Sequence, residues 1–374
     1  MRDDIKTNFL DFFTDIEDPR IDRKKIHPIS EILFTTFCAV ISGAEGWQDV
    51  ENFGKAKLNF LKLHLEYEYG IPSDDTFRRF FRAIDSKKFQ SNFLKWVNSM
   101  NLSTEKVISI DGKTSRRSHD KDKKSLHLIS AFASEARLVL CQKKVEGKTN
   151  EITEIPKLLN WLDLRGSIIT IDAMGCQKEI ASQIIEQHGE YVLSLKGNHS
   201  KLHDEIINYF DQAKEHGTLN VDYNFFETTE KGHGRIENRK IFVTDFIDFI
   251  PQKKDWLGLQ SIICIDSERI IGNKKTQESR YFITSLPPLA EKLAKIIRSH
   301  WSIENSLHWV LDMSFGEDQC RIRKGNGPEN MAIIRHCAIN MIRKYKGKRQ
   351  SIKGLRKQAA WDENVLQGIL ANAS

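Results

Sequence analysis

The sequence predicts an α/β protein: a mixed-sheet core with a β-rich insertion, preceded by an α-helical N-terminal domain. Three observations predict it. Apolar residues recur at helical spacing over about the first 100 positions, and from Glu105 short β-branched runs alternate with amphipathic helices. Between about 214 and 287, strand-like segments then follow one another with turn residues between them.

The N-terminal part reads as two apolar helical patterns in "SEILFTTFCAVISGAEGWQDVENFGKAKLNFLKLHLEYEYG", broken at Gly43 and ending at Gly70. Next, "IPSDDTFRRFFRAID" offers Ser73 as an N-cap, Asp74 and Asp75 for the first turn, and Phe77, Phe80 and Phe81 as one apolar face. Arg78, Arg79 and Arg82 lie on the other side, which suits a bundle helix better than a DNA-reading helix-turn-helix. In the core, "KVISID" (106–111) is a strand ending in Asp111, and "SLHLISAFAS" and "RLVLCQKKV" form a hairpin. "EITEIPKLLNWLDL" (151–164) is a helix, and "GSIITID" (166–172) is a strand ending in Asp172. "GCQKEIASQIIEQHG" is a helix closed by Gly189, and "EYVLSLKGN" is a further strand. After the β-rich segment the chain turns helical again from Pro288. The expected divisions are 1–100 (helical), 101–213 (core, first part), 214–287 (β-rich insertion), 288–345 (core, second part) and 346–374 (basic tail).

Composition excludes several classes. The chain has 374 residues, 29% charged and 40% hydrophobic, as in a soluble globular protein of two or three domains. No apolar run is long enough to cross a bilayer, and "MRDDIKTNFLDFF" lacks a signal-peptide layout, so a cytoplasmic location is expected. The six cysteines form no C-x-x-C pair and read as reduced thiols. A net charge of +6 says little by itself, but nine basic and no acidic residues lie between Met331 and Ala360, and "GKTSRRSHDKDKK" makes a second basic cluster. Both suit a phosphate backbone.

Two carboxylates, Asp111 and Asp172, stand at the ends of two sheet strands, where ligands bind in α/β folds. Close together they repel, unless a cation offsets their charge. A hard divalent ion such as Mg²⁺ takes oxygen ligands, and two ions about 4 Å apart could clamp both oxygens of a phosphodiester undergoing displacement. A third carboxylate is wanted. "HWSIENSLHWVLDMSFGED" supplies it: Ile303, Leu307, Val310 and Leu311 make a core stripe, and Glu304, His308 and Asp312 follow on an adjacent one. Glu304, flanked by Trp301 and Ile303, is expected to be half-buried and in need of a partner. Glu317, expected at a solvated helix end, is the reserve third ligand. His300, Glu304 and His308 lack the H-E-x-x-H pattern of a zinc site. Lys113, Arg116, Arg117, Lys196, Asn198, His233, Arg235, His300, His308, Arg321 and Arg323 are candidate contacts to a nucleic-acid backbone.

These landmarks resemble the DDE superfamily of bacterial insertion-sequence transposases, in the H-repeat-associated (Rhs-element-associated) subgroup. "DPRIDRKKIHPISEILFTTFCAVISGAEGWQDVENFG" and "GIPSDDTFRRFFRAID" are similar to the family's transposase-associated N-terminal domain. "IDGKTSRRS", "IDAMGCQ", "VLSLKGN", "GHGRIENR", "YFITSL", "HWSIENSLHWVLDMSFGED" and "NMAIIRH" are similar to successive landmarks of its catalytic half. The resemblance implies an RNase H-like core interrupted by the β insertion, with Asp111, Asp172 and Glu304 binding two Mg²⁺ ions, for which Mn²⁺ can substitute. Asp172 follows Asp111 by 61 residues and Glu304 follows Asp172 by 132, a gap that can house the insertion. The Tyr-Arg-Glu-Lys signature of related transposases is not kept: His300 stands where it has Arg and Leu311 where it has Lys. The implied activity is cleavage of double-stranded DNA at element ends and strand transfer into a target, by a homodimer or larger assembly on DNA. The alternatives are an inactive or domesticated DNA-binding descendant and a nuclease without strand transfer.

Overall fold

The computed structural model describes residues 8–21, 25–100, 106–119, 124–146, 151–217, 223–232, 234–347 and 350–373. It begins with helices α1 (Asn8–Asp11), α2 (Ile29–Ile41), α3 (Trp47–Ala56), α4 (Leu58–Leu61), α5 (Asp74–Ala83) and α6 (Ser86–Ser99). Gly43, at φ +109°, makes the break after α2. Ser73 caps α5 by accepting from the Thr76 amide, and Phe77, Phe80 and Phe81 are fully buried. Arg78 and Arg79 point outward and pair with Asp74 and Asp75, as on a bundle helix.

The core follows as β1 (Val107–Thr114), β2 (His127–Ala133), β3 (Leu138–Val145), α7 (Glu151–Leu159), β4 (Ile168–Ile171), α8 (Lys178–Glu186), β5 (Glu190–Leu195) and α9 (Ser200–Glu215). The β-rich segment supplies β6 (Asn224–Gly232), β7 (Arg235–Thr244), β8 (Ser261–Ile271) and β9 (Lys274–Thr284). Among the described residues these make one sheet in the order β3-β2-β1-β4-β5-β9-β8-β7-β6. β1, β4 and β5 run parallel and the remaining pairings are antiparallel. The first five strands have the RNase H-like order. The β-rich segment extends that sheet, because β9 pairs directly with β5.

Helices cover both faces. α7 lies against β2 and β3, α8 against β5 and α9 against β9. On the other face α10 (Ala290–Ser302) crosses β1, β4, β6 and β7 through Leu293, Ile296 and Ile297. One π-helical turn, Ile303–His308, joins α10 to α11 (Trp309–Phe315), and α12 (Gly327–Tyr345) follows. α12 runs between the sheet and the N-terminal helices. Its buried Asn340 accepts from the Val139 amide and donates to the Val139 carbonyl, closing part of the outer edge of β3. Its Asn330 donates to the Phe81 and Ile84 carbonyls. The helical part and the sheet therefore share one apolar core.

The stretch expected as a basic tail is not loose. Its described residues form α13 (Ile352–Trp361) and α14 (Glu363–Ala371). Ile352, Leu355 and Ala359 bury one face, and Arg356 reaches inward to the carbonyls of Val40, Ala44 and Ser314. The Trp96 indole donates to the Ala373 carbonyl at 2.7 Å. Truncation after Gly347 is expected to uncover this core and lower the melting temperature by about 10 °C or more, or to abolish soluble expression. Calorimetry of the shortened chain checks it, and an unchanged melting temperature with weaker DNA binding would restore the tail reading.

Candidate active site

Asp111 does not end its strand. β1 and β4 pair in parallel up to Ile110 and Ile171, after which β4 stops and β1 continues, with Asp111 opposite Ser130 of β2. Asp111 thus stands beside a lost neighbour, and Asp172 is the residue with which the chain leaves β4. Both acids are fixed by amides. Asp111 Oδ1 accepts from Gly112 at 2.8 Å, and Asp172 Oδ1 accepts from Met174 and Gly175 at 3.1 and 3.3 Å. Gly175 is needed there, since a Cβ would collide with the Ile171 side chain.

A cleft of about 240 Å³ opens over this point, lined by Asp111, Asp172 and Glu304 together with Thr170, Ser194, Lys196, Arg280, His300 and Trp301. Glu304 arrives from the π-helical turn and is exposed, where its apolar flanks predicted half-burial. The expected core stripe of Ile303, Leu307, Val310 and Leu311 is buried, and the wider turn sets Glu304 apart from it. Among the described residues, no three His, Cys, Asp or Glu side chains are grouped so as to hold a metal ion as they stand. The acids share a cleft without closing into a cage.

The electrostatics carry the cost of that gathering. Burial first, then the charges of Asp172, Glu304 and Glu151, push the Asp111 carboxyl up to about 7. Burial likewise raises Asp172, with Glu151 adding to the shift and the Lys196 ammonium opposing it. Glu151, the first residue of α7, escaped the sequence reading because an acid in a first helical turn is ordinary.

The candidate basic residues divide. Lys113 is mostly buried and both Asp312 oxygens accept from its ammonium at 2.7 Å; Glu317 and Asp318 lie about 4 Å away. It ties β1 to α11 and is not free for a ligand. Glu317, the reserve acid, is buried against Arg335 and Lys113 and does not line the cleft. His300 bonds Thr170 Oγ1 at 2.9 Å, and His308 Nδ1 lies 3.5 Å from Asp111 Oδ2. Burial depresses them to about 4 and about 3, so at neutral pH neither offers a cation to a phosphate. Asn198 donates to the Ala173 and Cys176 carbonyls, bracing the loop after Asp172. Arg235 pairs with Glu237. His233 lies outside the described residues. Lys196, Arg116, Arg117 and Arg321 are exposed, and Arg323 Nε donates to the Arg117 carbonyl, bringing two distant basic stretches together.

A family model described as Transposase DDE domain matches residues 102–341, and one described as DDE_Tnp_1-associated matches residues 10–97. The chain belongs to the DDE transposase family. It is 42% identical over 366 residues to the H repeat-associated protein YhhI of Escherichia coli K12, provisionally named a transposase, covering 96% of both chains. It is also 42% identical over 378 residues to YncI of E. coli O157:H7, likewise provisionally named, covering 98% of this chain and 95% of that one. A cryo-EM structure of the piggyBac transposase synaptic complex with hairpin DNA aligns with 98% of this chain and 76% of that one. At TM-score 0.46 and 12% identity this is too distant a likeness to bear on function. The protein is thus an enzyme of the transposase kind, and the described residues contain no helix long and apolar enough to cross a membrane.

Two expectations concern this transposase's charge network. Lys113→Met leaves Asp312 without its cation and the buried Glu317 with Arg335 alone, and should cost roughly 3 kcal/mol in urea unfolding. Adding Asp312→Asn should recover part of the loss, and additive losses would remove the pair from that role. His336, buried on α12, is depressed to about 3 by burial and then by His308, Arg335 and Arg343. The unfolded chain takes up this proton below about pH 6.5 and the folded chain does not, so its contribution is whole above that pH and falls by about 1.4 kcal/mol per unit below it. His336→Gln should therefore flatten the fall in melting temperature between about pH 7.5 and 5.5.

Proposed function

We propose that the protein carries out divalent-metal-dependent cleavage of DNA at the ends of its insertion sequence and joins the freed ends to target DNA. The observation that carries the reading is the cleft in which Asp111, Asp172 and Glu304 meet beside the exposed Lys196. The donor set fits a hard cation: all three are carboxylates, and Asp111 is raised first by burial and then by neighbouring carboxylates whose charge a cation would offset. A pair of Mg²⁺ ions, replaceable by Mn²⁺, held by these three acids would polarise the scissile phosphodiester and activate water.

The chain's own residues do the rest. The Met174 and Gly175 amides hold Asp172 in place, and the Lys113–Asp312 pair fixes β1 against the helix that brings Glu304. Lys196 meets a phosphate at the cleft mouth, while Arg116, Arg117, Arg321 and Arg323 grip the backbone beyond it without reading bases. Water attack breaks the bond between phosphorus and the 3′ oxygen and frees a 3′-hydroxyl. That hydroxyl then attacks a target phosphorus and displaces another 3′ oxygen. Chemistry of this kind asks mainly for positioning and charge neutralisation. The N-terminal helices are assigned to recognising the element ends, and a homodimer or larger assembly to bringing two ends together in the cytoplasm.

A labelled element-end duplex with Mg²⁺ or Mn²⁺ tests the reading. Asp111→Asn and Glu304→Gln should each abolish nicking and strand transfer while DNA affinity stays within roughly threefold, because backbone contacts dominate binding. Nicking by the Glu304→Gln protein and none by Glu317→Gln would move the third acid to Glu317. Binding without nicking by the folded wild type would leave only a DNA-binding role, and nicking without joining of a pre-cut end would leave a nuclease.

A further inference from the structure

The strand that carries Asp111 has two faces, and acids reach it from both. Asp111 and Lys113 face the α10–α11 side, as their approach to His308 and Asp312 shows. Gly112 and Thr114 face the α7 side, because side chains alternate along a strand. On that second face Glu151 comes close enough that a Cβ on Gly112 would lie 2.6 Å from its Oε1 and 3.0 Å from His127 Nε2. Glycine next to Asp111 is thus what admits the Glu151 carboxylate to the strand.

Glu151 is also held in place. Its Oε1 bonds His127 Nε2, and His127 Nδ1 bonds Thr114 Oγ1 at 2.8 Å. His127 and Thr114 are directly opposed on β2 and β1, so the sheet itself sets the imidazole. Both members of the pair are buried. Glu151 thus stands against Gly112, whose amide donates to Asp111 Oδ1, and Ile155 of the same helix stands against Gly175, whose amide donates to Asp172 Oδ1.

We propose that Glu151 is a fourth carboxylate of the site, a positioning residue that, braced by His127 and Thr114, sets Asp111 and Asp172 for a divalent cation and adds its charge to theirs. The proposal rests on the reading that those acids hold such an ion. Support of this kind behind the ligands of a metal site typically changes affinity without being the ligand itself.

Mn²⁺ titration of the full chain without DNA, followed by electron paramagnetic resonance, reads the proposal apart from activity. Glu151→Gln should weaken Mn²⁺ binding by roughly tenfold or more, and Glu151→Asp should fall between it and wild type. The metal-free melting temperature should hold or rise, since a buried like charge has gone; a purely structural His127–Glu151 pair would instead lower it. Binding within about twofold of wild type in Glu151→Gln overturns the proposal. Should that variant not fold, His127→Gln replaces it: there weaker Mn²⁺ binding supports the brace, and unchanged binding overturns it. Asp111→Asn separates the two levels. If it too binds Mn²⁺ normally, the metal reading of the whole site fails; if it loses the ion while Glu151→Gln keeps it, only the role of Glu151 fails.

Discussion

Two buried aspartates at one place on the sheet, Asp111 and Asp172, with Glu304 sharing their cleft from a helical turn, are the constraint on which the rest of this structure depends. Burial raises both aspartates, and the charges of Asp172 and Glu304 add to the shift at Asp111. The gathering occurs at the point where β4 has stopped and β1 runs on, leaving Asp111 with a strand on one side alone, β2, and Asp172 free to turn away. Backbone amides from Gly112, Met174 and Gly175 take up part of the negative charge. Burial, with the neighbouring acids adding to it, still lifts the Asp111 carboxyl to about 7. Such a site costs stability that the surrounding fold must supply.

The supply is visible on the α10–α12 side. Lys113 stands two residues beyond Asp111 and joins β1 to Asp312 at the far end of the helix bearing Glu304. The same ammonium lies near Glu317, which Arg335 meets from α12. α12 in turn is bound to the N-terminal helices by Asn330 and to the outer strand by Asn340. Arg356 of α13 stacks on Phe315 at the end of α11. These contacts tie the strand that carries Asp111 to α11 and α12, and through them to α5 and α13.

Much of this was legible in the residues and some was not, for reasons that are physical. Asp111 and Asp172 could be found because a hydrophobic run ending in an acid is a local signal, and Glu304 because an apolar stripe marked its helix. The β-rich segment was recognisable as strands, but no local pattern says that β9 will pair with β5. Lys113 read as a cation for a ligand because its partner Asp312 lies 199 residues away. The stretch 346–374 read as a basic tail because a charge count weights Arg356 like any surface arginine, although Ile352, Leu355 and Ala359 already spelled a buried helix face. His300 and His308 stood among the candidate backbone contacts because sequence carries no burial, and burial is what depresses both.

Glu151 shows the limit most sharply. It opens α7 as an acid in a first turn, a position that helix electrostatics alone would explain. Its meaning emerges only when β2 delivers His127 to it and when Gly112 leaves the space it fills. The glycine after Asp111 reads in the sequence as a residue that ends a strand, and in the structure it sits within one, kept small by a side chain from another element. A conformational reading of that glycine points to a turn; a steric reading points to the neighbour that needs the room. Beside Asp111 the second reading is the informative one, because the room that the glycine leaves is filled by the Glu151 carboxylate.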